Sequence, residues 1–99
     1  MTELGEIIDT LWLYTTKENH SRTLDEAYAA LKDDGDLVVD GLIWALRQDD
    51  VGLKLLALQL LQQFYTYALR AIPAIRSCIS DDEHRLVQIM AINTIHHLG

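Results

Sequence analysis

The side chains best suited to chemistry are Cys78, the histidines His84, His96 and His97, and the fifteen Asp and Glu residues. His96 and His97 are adjacent, so on a helix they point about 100° apart and cannot share a tetrahedral ion without distortion. Cys78 with His84 would need further ligands that no spacing supplies, so neither a metal nor another cofactor is expected. Cys78 sits in Ile75-Arg76-Ser77-Cys78-Ile79, where a small buried thiol is the usual role. Acting as a nucleophile would require exposure beside Arg76, which would favour the thiolate. Asp33 and Asp34 do not open a calcium loop: neither has a Glu at the twelfth position, and Gly35 is misplaced for the sharp turn. No catalytic constellation emerges, and the chain is expected not to be an enzyme.

The acids are unevenly placed. Residues 1–50 hold twelve against four bases, a net −8, whereas residues 51–99 hold three against four, a net +1. Asp33, Asp34, Asp36 and Asp40, with Asp49 and Asp50, can present a negative patch that steers a basic partner and disfavours wrong ones. The competing reading is a solvated surface whose turn acids cap helices. The overall charge of −7 argues against a protein that grips nucleic acid directly, since phosphate binding favours a basic excess.

Exposed Trp and Tyr are favoured in binding surfaces, which makes Trp12, Tyr65 and Tyr67 candidate partner contacts. Trp44 and Phe64 fit core positions instead. In the last segment Leu86, Val87, Met90, Ala91 and Leu98 form one helical face, yet Ile89, Ile92 and Ile95 lie outside or beside it. That leaves an apolar end able to meet another subunit or a partner, unless these are stray exposed residues of the ordinary kind.

The elements that must position these residues are helical. Pro occurs once in 99 residues and Gly five times, so breakers are scarce. Breaks near Lys17–Arg22, Lys32–Asp36, Gln48–Asp50, Leu69–Ile72 and Ser80–Asp82 divide the chain into about six helices of one domain. Thr23 to Glu26 and Ser80 to Glu83 fit the capping box that opens a helix, and Asp50 and Thr2 are further N-caps. Leu4, Ile7, Ile8 and Leu11 recur on one stripe and describe an edge helix. From Asp50 to Tyr67 the leucines surround the helix almost completely, which marks a buried, central element. At 49% apolar and 23% charged the chain is not a disordered one. A single cysteine, an acidic start without signal-peptide features and no apolar run of about 18 residues predict a cytoplasmic protein with no membrane span.

From Leu37 to Gly99 two helix pairs follow the same pattern. In each, an apolar helix ends in an Asp-Asp turn, and a second begins with a basic residue ahead of an Ala-containing apolar run; the turns at Asp49-Asp50 and Asp81-Asp82 lie 32 positions apart. This resembles HEAT repeats, especially the short bacterial kind also found in phycobilin lyases. Ala71-Ile72-Pro73-Ala74-Ile75 looks like their first helix with its proline, Asp81-Asp82 like their turn, and Arg85 to Ile95 like their second helix. Residues 1–33 would be a degenerate N-terminal repeat or cap, and the first pair lacks the proline. The resemblance implies an all-α fold, a short right-handed α-solenoid; armadillo-like or irregular bundle packing is the alternative arrangement. It also implies a binding scaffold. The expected function is therefore that of a protein-binding adaptor using helical surfaces and an acidic first half. The alternative is a small acidic inhibitor or immunity-type protein occupying a basic, nucleic-acid-binding site. A third is a lyase-like tetrapyrrole chaperone. Self-association through the C-terminal helix is a further expectation.

Overall fold

Scarcity of breakers leaves most of the chain free to form helix, and the computed structural model contains no strand among the residues it describes, which are 3–15, 20–81 and 84–99, with the side chains of 20–23 excepted. The elements are α1 (Leu4–Thr15), α2 (His20–Leu31), α3 (Gly35–Leu46), α4 (Val51–Gln63), α5 (Ile72–Ser80) and α6 (Arg85–Leu98). Two 3-10 turns, Lys32–Asp34 and Ala68–Ala71, adjoin them. Among the described residues helical backbone therefore covers five stretches, 4–15, 20–46, 51–63, 68–80 and 85–98, where about six separate pieces were expected. The difference lies at Lys32–Asp36. There the 3-10 turn joins α2 directly to α3: Gly35 is right-handed at φ −44°, and only Asp34, at φ −117° and ψ 38°, departs from helical values.

Helix ends also depart from the sequence signals. Thr23 lies inside α2, which begins at His20, so it is not the N-cap. Ser80 closes α5 instead of opening α6, and its hydroxyl donates to the Arg76 carbonyl; His84 takes the N-cap position of α6. Thr2, Lys17, Asp82 and Glu83 lie outside the described residues. Asp50 does cap α4, its carboxylate accepting the Leu53 N–H at 2.8 Å. That helix stops at Gln63, so Phe64–Tyr67 form a turn and not the end of the helix. Pro73 falls in the first turn of α5, where its missing N–H costs no helical hydrogen bond.

Packing follows from α4. Its Leu53, Leu56, Leu58, Leu60 and Leu61 are all buried, and it packs on α1, α2, α3 and α6, the central role its all-round leucines predict. The pairs α1/α2 and α5/α6 each pack on the middle pair α3/α4. The first contact is tight: a Cβ on Gly41 of α3 would lie 2.7 Å from Ile7 Cγ2 of α1, so glycine there lets the two helices approach. Phe64 is buried and meets the Tyr28 ring at 5.1 Å, whereas Trp44 is half-buried at the edge of the core. The Cα radius of gyration is 12.1 Å, close to the ~13 Å of a 100-residue globule, so the pairs form a short block and not a rod.

Candidate functional site

The last helix exposes three large apolar side chains. Val87, Ala91, Thr94 and Leu98 turn toward the core, leaving Leu86, Ile89 and Ile92 exposed at 67%, 46% and 42%. Two expectations change here. Leu86 does not share the core face with Val87, and Ile95 is half-buried against the core and not part of the outer stripe. Thr94 takes the inward position that the spacing of the apolar residues left unassigned. Its hydroxyl accepts from Gln62 Nε2 at 3.1 Å and lies within donating distance of the carbonyls of Met90 (2.8 Å) and Leu58 (3.1 Å). Burying a hydroxyl is tolerable because these partners satisfy it.

Two of these contacts share a sequence separation. Gln62 and Thr94 are 32 residues apart, as are Leu46 and Cys78, whose Sγ lies 3.9 Å from the Leu46 carbonyl oxygen. Both equal the spacing of the Asp-Asp turns. Cys78 is buried, the structural role expected of it.

The acidic residues do not form one uniform patch. Arg70, 30 positions along the chain, donates to the Asp40 carboxylate and to the Asp36 carbonyl, tying the second 3-10 turn to α3. Asp40 is thereby paired with a cation. Asp33 and Asp36 are exposed and Asp34 is half-buried, all at the turn between α2 and α3. Tyr67 also docks at this place: a Cβ on Gly35 would meet its ring at 2.5 Å, so the glycine makes room for the aromatic. Tyr65 instead stands edge-on to His97, with centroids 6.4 Å apart. Both tyrosines remain exposed, Tyr65 beside α6 and Tyr67 beside the turn between α2 and α3. Trp12 is exposed on α1 beside Leu13.

An open groove of about 760 Å³ lies where the α3–α4 turn, α5 and the start of α6 meet. Arg47, Lys54 and His84 line it together with Asp49 and Asp81, one acid from each Asp-Asp turn. Lys54 is buried, which the sequence pattern did not reveal. Acidic and basic side chains thus share its lining. A smaller groove of about 420 Å³ is lined by Leu24 and Met90 together with the amides of Gln59, Gln62 and Asn93 and the His97 imidazole, groups able to hydrogen-bond. Among the described residues no three His, Cys, Asp or Glu side chains are placed to hold a metal ion, and no helix is long and apolar enough to cross a membrane. Compared with family models, curated proteins and solved structures, the chain matches none.

Proposed function

We propose that the chain is a protein-binding helical module of HEAT-like build, an adaptor or small scaffold. The observation that carries this reading is the outer face of α6, where Leu86, Ile89 and Ile92 stand exposed on one helix. Large apolar side chains grouped in this way mark contact surfaces more than they mark solvent faces. The HEAT-like part draws support from Leu46–Cys78 and Gln62–Thr94, since in a stack of repeats equivalent positions of neighbouring units meet. Affinity capture with the full chain tests the function, comparing wild type with the double variant Leu86→Glu, Ile89→Glu. Both positions are exposed, so the fold is expected to persist. Loss of the captured protein from the variant supports the reading, and unchanged recovery overturns it.

A second reading, an acidic inhibitor of a basic site, draws on Asp33, Asp34 and Asp36 standing together at the turn between α2 and α3. Asp40 adds little to it because Arg70 already balances its charge. Changing Asp33, Asp34 and Asp36 to Asn would weaken capture of a basic partner in a salt-dependent way; equal recovery by the variant counts against this reading.

A further inference from the structure

We draw no further inference here: the strongest candidate, the open groove where the α3–α4 turn, α5 and the start of α6 meet, mixes acidic and basic side chains in its lining, and nothing in the structure shows what would occupy it.

Discussion

Replacing Gly41 by Ala sets two well-understood effects against each other. In a helix interior Ala is more favourable than Gly by about 1 kcal/mol. Against that, the new methyl would lie 2.7 Å from Ile7 Cγ2, with Ile7 Cβ at 3.6 Å and Leu4 Cδ1 at 3.7 Å. Carbon atoms prefer ~3.5–4.0 Å, so Ile7 or the whole of α1 must withdraw by nearly an ångström. Ile7 is buried and its methyl is too short to swing clear, and overpacking of that kind costs about 1–3 kcal/mol. The net expectation is a loss of ~1 kcal/mol in urea unfolding followed by helical ellipticity, or roughly 4–8 °C in Tm. Ile7→Ala supplies the control. Alone it costs about 2–5 kcal/mol, but it removes the obstructing methyl, so Gly41→Ala in that background should stabilise by ~1 kcal/mol. The coupling between the two positions is then about 2 kcal/mol. If Gly41→Ala stabilises the wild-type chain as much as it does the Ile7→Ala chain, the close approach of α1 and α3 is refuted.

Two further substitutions address other joints. Thr94→Val keeps the shape but removes the hydroxyl that Gln62, Met90 and Leu58 surround, and should cost ~1–2 kcal/mol by denaturant titration, with the slope of the transition unchanged. Asp50→Ala leaves the Leu53 N–H without its carboxylate acceptor, and a loss of about 0.5–2 kcal/mol in the same measurement is expected, whereas Asp50→Asn should retain most of the stability.

What could be read in the sequence was what adjacent residues decide. The all-round leucines of α4 and the Asp50 cap depend on neighbours within a few positions, and both are present in the fold. The Thr23 and Ser80 patterns are equally local, yet Thr23 sits inside α2, where a hydroxyl three residues before a Glu also fits a helix already under way, and Ser80 ends α5, its hydroxyl turned back to the Arg76 carbonyl. The acids at Lys32–Asp36 look like a break because they are polar, yet only Asp34, at φ −117° and ψ 38°, departs from helical values, and no described residue has a positive φ. The candidate contacts divide along the same line. Exposure of Trp12, Ile89 and Ile92 follows from helical periodicity, whereas the pairing of Asp40 with Arg70 and the burial of Lys54 and Thr94 depend on elements brought together by packing. Leu86 stands one position before Val87, outside the inward face, so an apolar residue next to that face is exposed.

The recurring 32-residue separation also bears on how the chain acquires its structure during synthesis. Leu46 meets Cys78 and Gln62 meets Thr94, so each contact closes a loop only one helix pair long, and closure entropy grows slowly with loop length. A pair leaving the ribosome finds its neighbour already extruded. The exposed core face of α3/α4 therefore waits only for α5 and α6 to emerge before it is covered, which shortens the interval in which a nascent chain is open to aggregation.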